Sequence, residues 1–78
     1  MTSTREELAA FWNEVLDVDA VAPHASLLDL GGDSLTATMI ANRIELAWSF
    51  RPSMEQLLTL PFDQVAELCD RRRARDSP

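Results

Sequence analysis

The chain has 78 residues, a single cysteine and a formal charge of −6. That length allows one domain close to the lower limit at which an apolar core stabilises a fold unaided, and it leaves too little volume for both a core and an enclosed catalytic cleft. An independent enzyme is therefore not expected, and function should lie on the surface. Four of the seven arginines fall at positions 71–75, so residues 1–70 hold 12 acids against three arginines, a balance of −9. So acidic a body repels phosphate backbones and argues against nucleic-acid binding. Cys69 has no partner for an internal disulfide, and Met1 to Glu7 lack the charged start and apolar run of a secretory signal; the cytoplasm is the expected compartment. No apolar stretch approaches the roughly 20 residues of a membrane span.

Thr4-Arg5-Glu6-Glu7 has the form of a capping box, in which a hydroxyl and a carboxylate each satisfy an amide at a helix start. Leu8, Phe11, Trp12, Val15 and Leu16 follow on one helical face, with Arg5, Glu6, Asn13 and Glu14 elsewhere, which predicts an amphipathic helix over 4–17. From Val18 to Asp33 the periodicity breaks, and Asp17, Asp19, Pro23, Gly31 and Gly32 all disfavour regular structure. Loops longer than about 12–15 residues in compact domains are usually functional or anchored by their own side chains. Val21, Leu27, Leu28 and Leu30 are the candidate anchors here.

Ala37, Ile40, Ala41, Ile44 and Trp48 recur at helical spacing and predict a second helix over 34–47 with that stripe inward. Leu35, Thr38, Met39 and Asn42 form its outward stripe. Phe50 and Pro52 mark a connection, and Met54, Leu57 and Leu58 predict a short helix. Pro61 suits the first turn of a last helix, where its missing amide costs nothing, and Phe62, Val65, Ala66, Leu68 and Cys69 supply the buried face. That helix is expected to end near Asp70. Residues 71–78 lack apolar periodicity, so 1–70 reads as the domain and 71–78 as a flexible basic tail. The expected fold is all-α: a four-helix bundle of three main helices and one short helix, with a long loop between the first and second.

Gly31-Gly32-Asp33-Ser34-Leu35 places a serine at a glycine-rich turn that opens a helix. Such a serine has three roles to weigh. It can help cap the helix, with Asp33 or Ser34 accepting from the first amides and the glycines supplying positive dihedrals. It can be the nucleophile of a GDSL-type esterase, whose signature Gly32 to Leu35 spells. That family draws its histidine and aspartate from a late Asp-x-x-His segment, whereas the one histidine here, His24, precedes Ser34. A serine without a base within reach is a poor nucleophile. It can also accept a group from another enzyme, a role compatible with capping.

Ser26-Leu-Leu-Asp-Leu-Gly-Gly-Asp-Ser-Leu35 resembles the attachment site of acyl and peptidyl carrier proteins, with Leu27 and Leu28 where that family often has Phe-Phe. The order of elements resembles that family along nearly the whole chain. The resemblance implies a covalent 4'-phosphopantetheine arm, derived from coenzyme A, on Ser34, with Gly32 and Asp33 completing the cofactor-binding motif. It implies a phosphopantetheinyl transferase as first partner, then a loading enzyme (adenylation or acyltransferase), then condensation, tailoring or thioesterase enzymes. The carrier itself is non-catalytic and is expected to be a monomer.

Leu35, Thr38, Met39 and Asn42 lie beside the serine and are the candidate partner-binding patch. Fatty-acid carriers bear acids along this helix; here the first after Ser34 is Glu45. With Gly-Gly before Asp-Ser, that departure makes the chain look more like a peptidyl carrier of nonribosomal peptide synthesis, or of a hybrid polyketide pathway; with Met1 and both termini just outside the expected helices it reads as a free-standing one, although an excised module of a megasynthase would look similar. The alternatives are an acyl carrier of polyketide or fatty-acid type and a non-covalent acidic helical adaptor. Leu60-Pro61-Phe62, where such carriers often have Pro-Thr-Phe, leaves the start of the last helix open by a residue. Neither His24 nor Cys69 has metal-ligand neighbours in sequence, and no metal is expected.

Overall fold

The computed structural model describes residues 3–76, with side chains of the last helix described as far as Arg73. Four helices follow in order: α1 (Thr4–Leu16), α2 (Ser34–Trp48), α3 (Met54–Thr59) and α4 (Phe62–Asp76). The described residues contain no strand. α1 packs on α2 and α4, and α3 packs on α2. The core follows the expected stripes: Leu8 and Trp12 from α1, Ala37, Ile40, Ala41 and Ile44 from α2, Leu57 from α3, and Phe62, Val65, Ala66 and Cys69 from α4; Leu68, also expected on the buried face of α4, is only half-buried. Phe11, Val15 and Trp48 sit at its edge, half-buried, and the Phe11 and Trp48 rings meet with centroids 5.5 Å apart.

The cap of α1 lies one residue earlier than the capping-box spacing suggests. Ser3 is the N-cap and accepts from the Glu6 amide at 3.1 Å. Thr4 is already helical, nearly buried, and its hydroxyl donates to Asp70 Oδ1 at 2.9 Å. A long-range partner has taken the hydroxyl that local pattern assigned to capping. The helix ends at Leu16 because Asp17 adopts a left-handed conformation (φ 56°) and closes the last turn with a bond to the Asn13 carbonyl, a conformation that Asp tolerates better than most residues.

α4 corrects two expectations. Its first helical residue is Phe62, and Pro61 stands just outside, its carbonyl accepting from the Val65 amide at 3.1 Å. At its other end the helix runs on to Asp76 rather than stopping near Asp70. Arg71 pairs with Glu67 one turn back. The Arg72 guanidinium lies 4.6 Å from the centroid of Phe50, and that of Arg73 lies 5.1 Å from the centroid of Trp48. Arg73 Nη1 also donates to Thr4 Oγ1 at 2.8 Å and to Glu7 Oε2 at 3.1 Å. The contacts of Arg72 and Arg73 lie across the bundle, so apolar periodicity within α4 carries no trace of them.

The long loop is fastened to the far side of the fold through its backbone. The first free amides of α4, those of Phe62 and Asp63, donate to the carbonyls of Ala25 (2.9 Å) and Pro23 (3.0 Å). Helix starts leave such donors without intrahelical partners; here the loop supplies the acceptors. The Leu28 amide donates to the Leu58 carbonyl at 3.3 Å. Of the four expected anchors, Leu27 is fully buried and Val21 and Leu30 are half-buried against the core, whereas Leu28 is 54% exposed.

Candidate functional site

The approach to Ser34 begins with a single tight turn. The Ser26 amide donates to Asp29 Oδ2 at 3.0 Å, and Ser26 Oγ accepts from the Asp29 amide at 3.1 Å. This is the reciprocal pairing of a capping box, made in a loop. The turn closes like a helix end. The Gly31 amide donates to Leu28 O (3.1 Å) and the Gly32 amide to Leu27 O (2.8 Å), with Gly31 left-handed at φ 85°, the bonding pattern of a Schellman motif.

The two glycines serve different needs. At Gly31 a side chain would meet nothing within 4 Å, but the positive φ disfavours any residue with a Cβ. At Gly32 a Cβ would stand 2.6 Å from Leu27 Cγ and 2.9 Å from Leu27 O. The expectation that both glycines supply positive dihedrals therefore holds for Gly31 alone; Gly32 is required by close approach to a buried leucine.

Asp33 follows as the N-cap of α2. Its Oδ1 accepts from the Thr36 amide and the Thr36 hydroxyl, both at 3.0 Å. Those two bonds, the amide first, hold its carboxyl below the usual carboxylate value. Asp29 is lowered in the same way, by the Ser26 amide and then its hydroxyl. With Asp33 occupied in capping, Ser34 has no capping duty, and its Oγ enters no hydrogen bond among the described residues. Ser34 is exposed, at the positive end of the α2 dipole. An exposed hydroxyl at a helix start suits a phosphodiester, which gains from the dipole there, although the adjacent Asp33 carboxylate opposes its charge.

Gly32, Asp33 and Ser34 thus form one continuous structure. Leu35 and Met39 lie a turn apart on the outer face of α2, 69% and 41% exposed. Thr38 is half-buried and its hydroxyl donates back to the Ser34 carbonyl at 2.8 Å. Asn42 is exposed but engaged, its Oδ1 accepting from Arg51 Nη1 at 2.7 Å. The outward stripe continues to Leu46, 88% exposed, which the spacing 35, 39, 42, 46 signals. Ser26 and Asp29 went unassigned at the sequence level, although their Ser-x-x-Asp spacing has the form of a cap. His24 is exposed, and Ser34 Oγ makes no hydrogen bond to it or to any other described base. Burial pushes the Cys69 thiol up to about 12.

Residues 6–71 match the family described as "Phosphopantetheine attachment site". The chain belongs to that family. Members bind covalently attached 4'-phosphopantetheine and act as carriers. The chain is 37% identical over 59 residues to bacitracin synthase 2 of Bacillus licheniformis, with 76% of its length covered. It is 39% identical over 70 residues to a linear gramicidin synthase of Brevibacillus parabrevis, with 88% covered. It spans only 2% and 1% of those relatives. Among solved structures it is similar to BlmI, a type-II acyl-carrier-protein from Streptomyces verticillus involved in bleomycin biosynthesis. The TM-score is 0.71 at 32% identity, covering 95% of this chain and 87% of that one. The similarity extends to the fold, an all-helical carrier bundle. No helix of the described residues is long and apolar enough to cross a membrane.

Proposed function

We propose that Ser34 is the attachment residue and that the chain carries aminoacyl or peptidyl intermediates in nonribosomal peptide or hybrid polyketide biosynthesis. One observation carries the assignment: within the matched family region, Ser34 Oγ is exposed and makes no hydrogen bond among the described residues, at the end of a turn whose capping is done by Asp33. Ser34 Oγ attacks the pyrophosphate of coenzyme A held by a phosphopantetheinyl transferase. The Oγ–P bond forms as the bond to the adenosine-bearing phosphate breaks, and the serine proton passes to a base of the transferase. Once attached, the arm supplies a terminal thiol that holds cargo as a thioester.

The peptidyl assignment is supported by the two peptide-synthetase relatives and by an α2 that bears no acid before Glu45. Leu35 and Met39 provide an apolar contact for the transferase, the loading enzyme and the condensation, tailoring or thioesterase enzymes that follow. We place the carrier in the cytoplasm as a monomer. Intact-protein mass before and after incubation with coenzyme A, magnesium and a broad-specificity phosphopantetheinyl transferase tests the assignment. One phosphopantetheinyl group should be gained by the wild type and none by Ser34→Ala. No gain by folded, unmodified wild type would leave the non-covalent adaptor as the better account.

A further inference from the structure

The chain before Ser34 is fixed at both ends of a small frame. Its start is closed by the Ser26 and Asp29 pair, and its finish by the Gly31 and Gly32 amides. Leu27 roots it in the core, fully buried. The carbonyls of Pro23 and Ala25 and the amide of Leu28 fasten it to the α3 and α4 junction. Asp29 is exposed, yet one of its carboxylate oxygens is committed to the Ser26 amide, and Ser26 is only 8% exposed. What the frame requires at position 29 is an acceptor oxygen at that place; the carboxylate makes the stronger bond, but an amide oxygen there can also close the turn.

We propose that Asp29, acting with Ser26, is a positioning residue for transfer of phosphopantetheine onto Ser34: the pair holds the turn that presents Ser34 Oγ, and partners do not read the Asp29 charge. The proposal rests on Ser34 being the attachment residue. Loss of either half of the pair frees the Ser26 or the Asp29 amide, loosens the turn, and lets Gly31 and Gly32 sample other dihedrals. The hydroxyl then occupies its attacking place for a smaller part of the time, which lowers the rate at saturation while leaving the docking surface on α2 intact.

Initial rates of transfer, followed by intact mass at varied carrier concentration, would be compared for wild type, Asp29→Ala, Asp29→Asn, Ser26→Ala and Ser26→Thr. The two alanine variants should lose about tenfold in kcat with KM changed by less than about twofold, within the range that misplacing a reacting group costs. Asp29→Asn and Ser26→Thr, which keep the acceptor oxygens, should recover most of the rate. Exchange at the Gly31 and Gly32 amides should quicken in the alanine variants while the Ile40 and Val65 amides are unchanged. Should Asp29→Ala fail to fold, Ser26→Ala tests the same pair from its other half. An Asp29→Asn variant as impaired as Asp29→Ala, with raised KM, would assign Asp29 to charge contact with the transferase and overturn the proposal; so would alanine variants modified at the wild-type rate. Failure of the wild type to be modified would instead remove the Ser34 assignment itself.

Discussion

Replacing Gly32 by alanine tests the construction of the site most directly, because the cost can be worked from two contacts. The new Cβ would stand 2.6 Å from Leu27 Cγ and 2.9 Å from Leu27 O. Cγ is the branch point of a fully buried side chain and cannot swing clear. The carbonyl is held by the amides of Leu30 and Gly32 itself. Relief therefore requires backbone movement and weakens the 2.8 Å bond that closes the turn. Overpacking of this kind costs about 1–3 kcal/mol. With the bond weakened we expect about 2 kcal/mol, or a fall in Tm of roughly 8–16 °C for a domain this small.

Urea unfolding, read as a shift in midpoint at constant slope, measures the Gly32 cost against Gly31. Gly31→Ala should cost about 1–2 kcal/mol from its left-handed backbone, and Gly31→Asn distinctly less because Asn tolerates that region. Gly32→Asn should be no better than Gly32→Ala, since its difficulty is steric. A Gly32→Ala variant within about 0.5 kcal/mol of wild type, where ordinary surface substitutions lie, would refute the steric account. Equal losses for Gly31→Asn and Gly32→Ala would refute the division of roles.

Four further outcomes are expected. Arg73→Ala removes the contact over Trp48, the bond to Thr4 and an ion pair with Glu7 that is more than a third exposed and so discounted for screening; a loss of about 1 kcal/mol in urea unfolding is expected. A chain ending at Asp70 should lose more, because Arg72 over Phe50 goes with it. Asp29 and Asp33 have folded pKa values below their ordinary value of 3.8, so their contribution is full above that value and disappears as pH falls through the lowered values. The acid fall in the urea midpoint should be shallower in an Asp29→Asn, Asp33→Asn double variant. Cys69, its thiol raised to about 12 by burial, should alkylate slowly at neutral pH and at least about a hundredfold faster in denaturing urea.

Much of this molecule follows from local chemistry and is legible along the chain. The stripes Leu8 and Trp12, Ala37 to Ile44, and Val65 to Cys69 become the core because helical periodicity alone decides which side chains share a face. The Gly31 to Leu35 motif likewise announces a serine at a glycine-rich turn that opens a helix, whereas its exposure and the choice of Asp33 as the cap belong to the structure. Other choices depended on residues distant in sequence. Ser3 rather than Thr4 caps α1 because Asp70 and Arg73 claim the Thr4 hydroxyl. α4 extends to Asp76, with Trp48 and Phe50 beneath its arginines, although nothing within that segment repeats with apolar period. Gly32 is needed because Leu27 is packed beneath it, and the first amides of α4 find acceptors in Pro23 and Ala25 of the loop. Periodicity and capping motifs report interactions between residues a turn apart; which hydroxyl, carbonyl or ring arrives from across the bundle is decided only when the helices pack.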